Sequence, residues 1–273
     1  MRRLYLKAWA DLRDLRAISD HIDKECTPIL AFGRWRTARI VTAGLNPSTY
    51  EFRDPDQKTA TGEKCPLVGD RQRFIHWGGG RLTQTRLEET FRRSDGYFEI
   101  GNQYAKWFNK YAEFLDALSV PFIEGRACHT DYVSPFATRV RISRCRPAAD
   151  LLEEAGFRCW LDVIERCPRV ELIFGHGRGW RRVEEHLRIT LVDKPTPFDR
   201  KGTEGRHLSF ARATLPKSRR SVLVYWWHQN FSGMPLCSLR PEERRHLGQM
   251  IRRDVEKKAP RSDIARWARS ASN

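Results

Sequence analysis

Three short segments carry polar side chains of the kinds that do chemistry. The first is Gly44-Leu45-Asn46-Pro47-Ser48, followed closely by Tyr50 and Phe52. Glycine permits backbone angles closed to other residues, and Pro47 fixes its own φ and removes a donor. The run reads as a rigid turn that holds one amide, Asn46, at its tip. An amide orients a water or a polar edge by hydrogen bonds but cannot take a proton from it. The second segment is Cys128-His129-Thr130-Asp131-Tyr132-Val133-Ser134-Pro135-Phe136. Its carboxyl group, Asp131, only accepts hydrogen bonds when ionised and can donate one when protonated. The third is His228-Gln229-Asn230-Phe231-Ser232-Gly233, which brings an imidazole, two amides and a hydroxyl into one short segment. Each segment alone also has a plainer explanation. Asn-Pro starts ordinary turns, aspartates close them, and a histidine at a strand end is commonly part of the framework.

The elements that must position these residues follow from apolar periodicity. Residues 33–43 end in Ile40-Val41-Thr42-Ala43 and read as a first strand, which delivers Asn46. A short strand over 126–133 overlaps the second segment. Residues 170–174 (VELIF), closed by Gly175, and residues 221–227 (SVLVYWW) are further buried strands. The last of these delivers His228. Helical patterns cover residues 1–25, 81–93 and 102–118, then Pro147 to about Cys167, 179–187, and Pro241 to about Lys258. The aromatic stripe of the third pattern (Tyr104, Trp107, Phe108, Tyr111, Phe114) reads as core packing. Residues 51–80 form an unusually long loop-like stretch. Residues 188–220 read as irregular and basic with short strands, and residues 259–273 as a frayed basic tail.

Strand and helix alternate, which predicts a three-layer α/β/α sandwich with a central, mostly parallel sheet. The expected organisation is one α/β domain over 1–258 with an N-terminal helical extension. Parallel strands would open all three polar segments on one sheet edge, where α/β sheets bind ligands.

The chain of 273 residues carries 50 Lys and Arg against 34 Asp and Glu, a net charge of +16. Polyanions such as nucleic acid are the natural partners of that charge. Seven cysteines include no CxxC pair, so a zinc knuckle or tight redox motif is not expected. Charges break the apolar runs of MRRLYLKAWADLRD, so a signal peptide is not expected there. No run approaches the ~20 apolar residues of a membrane span. The expectation is a reducing, cytoplasmic setting with no membrane partner and no obligate protein partner. Gly175-His176-Gly177-Arg178-Gly179 lacks the interval of a dinucleotide fingerprint and reads as a tight strand-to-helix turn, with anion binding at the helix start as a minor option.

The pattern resembles the uracil-DNA glycosylase superfamily. Gly44-Leu45-Asn46-Pro47-Ser48 is similar to the GxNPG-type motif of its mismatch-specific and single-strand-selective branches. The turn beginning at His228 sits where members carry an HPS-type motif and the loop that wedges into DNA. Here Gln229-Asn230 stands in place of Pro-Ser. Asp131 lies near where many members place an Asn that reads the base edge. The resemblance covers the strand framework from about 33 to 240.

It implies a DNA glycosylase that flips a damaged, uracil-like base out of single- or double-stranded DNA and hydrolyses its N-glycosidic bond. Asn46 would hold the attacking water, and His228 would donate to the departing base. Gly44, Leu45, Tyr50, Phe52 and Asp131 would surround the base. Ser48, Gln229, Asn230, Phe231 and Ser232 would approach the duplex. No metal or cofactor is required. Two other functions fit the same residues: a non-catalytic nucleic-acid-binding protein on the same scaffold, and an enzyme of nucleotides or other phosphorylated small molecules that uses the Gly175–Gly179 turn.

Overall fold

The computed structural model describes residues 3–5, 21–23, 26–48, 51–52, 83–98, 105–138, 148–197, 207–228, 236 and 239–257. Six strands form one mixed sheet: β1 (Ile40–Gly44), β2 (Ala127–Asp131), β3 (Leu172–His176), β4 (Arg188–Pro197), β5 (His207–Thr214) and β6 (Ser221–His228). Their order is β2-β1-β3-β6-β5-β4. Five α-helices are described: α1 (Gln84–Asp95), α2 (Ala105–Ala117), α3 (Ala148–Arg166), α4 (Trp180–His186) and α5 (Pro241–Lys257). β1 pairs with β3 and β3 with β6 in parallel, β5 is antiparallel to β6, and β4 is antiparallel to β5. Thus β1, β3, β4 and β6 run one way and β5 runs against them. The architecture is α/β with a mostly parallel sheet, as the alternation of apolar periods predicts.

Three expectations are corrected. The first strand starts at Ile40, not at 33. Residues 188–220, read as irregular, contain two full strands. β5 matches β6 residue for residue from His207↔His228 to Thr214↔Ser221, so pairing supplies an order that its polar sequence does not advertise. Lastly, His129, Thr130 and Asp131 are strand residues of β2, and the turn begins only after them. Residues 3–5 of the expected N-terminal helix are helical, but 21–23 are not. Of the 51–80 stretch only 51–52 are described, and residues 259–273 lie outside the described set.

The chain forms two compact units. One comprises Met1–Arg36, Gly44–Lys106 and Cys128–Cys167; the other comprises Thr37–Ala43, Trp107–Ala127 and Pro168–Asn273.

In the first unit, α1 starts at Thr83, whose hydroxyl accepts the Arg86 N–H at 3.3 Å. Its far end is tied down by the Ser94 hydroxyl, which donates to the Ala31 carbonyl. Phe32, Tyr97 and Phe98 stack edge to face beyond it, with ring centroids 4.7 and 5.0 Å apart. α3 buries Leu152, Phe157, Trp160, Leu161 and Ile164, which recur at helical spacing. The Trp160 indole N–H donates to the Thr130 hydroxyl at 2.8 Å. Gly156 lets this helix touch bare backbone: a β-carbon there would stand 1.8 Å from the Val133 carbonyl oxygen. So α3 clamps the chain where it leaves β2. Cys26, Cys128 and Cys167 are buried free thiols. A hydrogen bond with Cys167, together with burial, holds the Cys128 thiol well above its usual value, which keeps it protonated and inert.

In the second unit the sheet is covered on both faces, since Val222–Trp227 of β6 are all buried. Phe174 and Tyr225 sit side by side in register. Phe114 of α2 lies 4.5 Å from the Phe174 ring, and the Tyr225 hydroxyl donates to Asp254 of α5 at 2.6 Å. The predicted aromatic stripe of α2 is core, with Phe108, Tyr111 and Phe114 buried. Arg244 of α5 is buried and donates to Glu113 of α2 at 2.5 Å and to the Leu239 carbonyl.

Gly156→Ala tests the clamp in the first unit. Alanine normally stabilises a helix interior over glycine by about 1 kcal/mol. Here the contact with Val133 reverses the sign, and a loss of roughly 1–3 kcal/mol is expected in urea unfolding.

Candidate active site at the carboxyl end of strand β1

β1 ends at Gly44, and residues 45–48 follow as a turn. The turn is stitched to the chain leaving β2. The Tyr132 N–H donates to the Gly44 carbonyl at 2.9 Å, and the Val133 and Ser134 N–H groups donate to the Leu45 carbonyl at 3.0 and 3.1 Å. Pro47 is buried, while Leu45, Asn46 and Ser48 are half-buried. Asn46 is held by its amide nitrogen, which donates to the Pro47 carbonyl at 2.9 Å and to the Thr138 hydroxyl at 3.2 Å. Among the described residues no donor reaches its Oδ1. That oxygen is therefore the atom with which the turn can hold a water or an N–H.

Beside the turn lies a buried ionisable pair. His129 and Asp131 are two residues apart on β2, so they share a face, and Nε2 of His129 is 3.5 Å from Oδ1 of Asp131. Both side chains are almost fully buried. A β-carbon on Gly44 would stand 2.6 Å from Oδ1 of Asp131 and 2.8 Å from Nε2 of His129. Gly44 is thus needed for close approach. His129 is further fixed by mutual backbone hydrogen bonds with Phe32, at 2.7 and 2.9 Å, and by the Phe32 ring at 5.7 Å. Burial pushes the Asp131 carboxyl up from its ordinary value, and the His129 contact pulls it only part of the way back.

Glu51 completes this region. It is buried, its N–H donates to the Ser48 carbonyl at 3.0 Å, and its carboxylate accepts the Tyr97 hydroxyl at 2.8 Å. The next residue, Phe52, is 3% exposed, so it can serve as a wall but not as an open stacking face.

The structure therefore gathers Gly44, Leu45, Asn46, Ser48, Phe52 and Asp131 in one unit. It adds His129, Thr138, Glu51 and Tyr97, which the sequence did not single out for this site. Only His129 carried a signal, its two-residue spacing from Asp131 on a strand. His228 belongs to the second unit. There its Nε2 shares a hydrogen bond with the Ser209 hydroxyl at 2.8 Å, and its ring meets Trp180 edge-on at 6.0 Å. Tyr50, Gln229, Asn230, Phe231 and Ser232 lie outside the described residues.

The glycine turn after β3 is already occupied by its own framework. The Gly177 N–H donates to the Trp227 carbonyl at 2.9 Å, and its carbonyl accepts the Trp226 indole N–H at 3.0 Å. α4 has only seven residues. An N–H spent on the sheet is not available to a phosphate, which weakens the phosphate-binding expectation for this turn.

In comparisons with known proteins, no family model matches the chain and no curated protein is significantly similar to it. Among the described residues no helix is long and apolar enough to cross a membrane.

Two outcomes test this geometry. Gly44→Ala is expected to cost roughly 1–3 kcal/mol, and less when Asp131→Ala has already emptied the space, a coupling that a double-mutant cycle in urea reads directly. The second concerns pH. The unfolded carboxyl titrates near about 4, and the folded one higher. Asp131 therefore costs no stability below about pH 4, and its cost grows as pH rises through the raised folded value. Asp131→Asn removes that titration, so its stability relative to the parent chain is expected to improve from about pH 4 to about pH 7. A gap that stays constant with pH would refute the assignment.

Proposed function

We propose that this chain is a DNA N-glycosylase of the uracil-DNA glycosylase superfamily fold, acting on a deaminated, uracil-like base. The observation that carries the reading is Asn46. It is fixed through its nitrogen at the carboxyl end of β1, with a buried carboxyl group beside the same strand end. The motif around it and the net charge of +16 support the same reading.

The chemistry follows from what an amide can do. Oδ1 of Asn46 holds a water but cannot deprotonate it strongly. The bond between C1′ and the base nitrogen must break first in large part. The base leaves with the electron pair, and the sugar becomes an oxocarbenium-like cation. The water oxygen then bonds to C1′ and loses a proton, which the departed base anion takes up, leaving an abasic site and the free base. A donor at the base oxygen on which negative charge develops is typically worth about 3 kcal/mol, the role that the resemblance gives to His228.

Asp131 bears on the choice of substrate. Burial pushes its pKa up from the ordinary value, and the form it takes decides what it can meet. Neutral, it offers one O–H donor and one carbonyl acceptor, the same pair that an amide offers. That pair is complementary to a lactam edge, with its carbonyl oxygen and its ring N–H, as found in uracil and hypoxanthine. Ionised, the group only accepts and would turn such a carbonyl away. Single- or double-stranded DNA is the proposed partner, and nothing in this scheme calls on a metal or cofactor.

The test is base release from labelled oligonucleotides carrying uracil, hypoxanthine, xanthine or an alkylated base, single- and double-stranded, with alkali to cleave abasic sites. Release is expected for a lactam base, with a fall of at least about 100-fold on Asn46→Ala. Release from none of these substrates, with salt-sensitive DNA binding intact, would leave a non-catalytic binder.

A further inference from the structure

β5 presents two unlike faces. Side chains alternate along a strand, so Leu208 and Phe210 share one face and Ser209, Ala211 and Ala213 the other. Ser209, Ala211 and Ala213 are all buried. Alanine at 209 would continue that run of small side chains, so packing gives no reason for a hydroxyl there. A buried hydroxyl needs a hydrogen-bond partner, and the partner is His228, whose Nε2 lies 2.8 Å from Oγ of Ser209. Register explains the contact. Ser209 stands opposite Trp226, and His228 is two residues further along β6, so the two side chains are diagonal neighbours on one face of the sheet. Trp180, at the start of α4, meets the His228 ring edge-on at 6.0 Å, and its own indole N–H donates to Glu184 at 2.8 Å. The half-buried imidazole thus has a fixed neighbour on β5 and another on α4.

An imidazole and a hydroxyl can share such a bond in two ways. In the first, Nε2–H donates to Oγ, and the hydroxyl proton then needs an acceptor of its own. Among the described residues the Ser209 hydroxyl meets no acceptor besides Nε2, and Ser209 is only 1% exposed, so water has little access to it. A buried O–H without an acceptor bears the full cost of its desolvation. In the second, the hydroxyl donates to Nε2 and its proton is accounted for. The neutral ring then carries its hydrogen on Nδ1, because the hydrogen bond made by one ring nitrogen sets which of the two is protonated.

We infer that Ser209 is a positioning residue: its hydroxyl donates to Nε2 of His228 and so places the proton of the neutral ring on Nδ1, which makes Nδ1, not Nε2, the ring's donor atom. What that donor serves, the oxygen of a departing base, rests on the glycosylase reading; where the proton stands does not. A fixed tautomer matters to such chemistry. A ring that exchanges tautomers turns a lone pair toward developing negative charge for part of the time, and a lone pair repels what an N–H would stabilise.

The test reads the ring directly. The full chain, isotopically labelled at its histidines, is followed by long-range proton–nitrogen correlation NMR at about pH 8.5, above the ordinary titration of an imidazole. The chain has 8 histidines, and His228→Gln identifies the signals of this one. A pyrrole-type Nδ1 and a pyridine-type Nε2 are expected in the parent chain. Ser209→Ala is expected to move both signals toward the average of the two tautomers, and Ser209→Thr, which keeps the hydroxyl, to restore them. A protonated Nε2 in the parent chain would overturn the inference, and so would a parent pattern that Ser209→Ala leaves unchanged. Base release separates this inference from the reading it serves. Where the parent chain releases base, Ser209→Ala is expected to lower kcat about 10-fold with KM nearly unchanged, less than the roughly 100-fold that removing a whole donor costs; an unchanged kcat would overturn the positioning role. Where the parent chain releases none, the glycosylase reading fails, and the ring signals still decide where Ser209 puts the proton.

Discussion

The candidate site depends on an approach that leaves no room for a side chain. At Gly44 the end of β1 comes so near Oδ1 of Asp131 and Nε2 of His129 that a β-carbon would collide with both. The contact requires β2 to present two polar side chains on one face at that level. It requires the chain after β2 to turn back, so that Tyr132, Val133 and Ser134 donate to the Gly44 and Leu45 carbonyls. It also requires α3 to hold that returning chain in place, which Gly156 allows by touching the Val133 carbonyl directly. Two glycines and one set of backbone hydrogen bonds therefore decide where Asn46 stands.

Electrostatics divides the molecule into charges that are neutralised locally and charges that are not. On helix surfaces arginines pair with glutamates one turn away: Arg92 and Arg93 with Glu89, Arg181 with Glu185, and Arg252 with Glu256. Arg92 and Arg93 hold the Glu89 carboxyl down to about 2. Such exposed pairs add little to stability, but they remove their charges from the field a polyanion would meet. At Asp131 the opposite logic holds. There burial rather than pairing dominates, and it pushes the carboxyl group up from its ordinary value.

Much of this was legible in the chain before any coordinates. Apolar runs such as Ile40-Val41-Thr42-Ala43 and Val222-Leu223-Val224-Tyr225-Trp226-Trp227 declare buried strands, and the spacing of Phe108, Tyr111, Phe114 and Leu115 declares a helix with one apolar face. Their alternation fixes an α/β class, because a sheet buried on both faces needs helices on both. Gly44-Leu45-Asn46-Pro47 announces a rigid turn by its residue types alone. These are local signals, written in periods of two and 3.6 residues and in backbone freedom, and the sequence holds them in full.

What the tertiary structure decided is everything that depends on partners far away in the chain. β4 and β5 look irregular until β6 supplies eight registered partners for β5. Thr138 becomes the anchor of Asn46 from 92 positions away. The β3 glycine turn loses its free N–H to Trp227 of another strand. Asp131 acquires a raised pKa only because folding removes it from water and sets His129 beside it. The sequence names the groups and the turns that bear them; long-range hydrogen bonds and desolvation, which no local pattern records, determine their orientation and their charge.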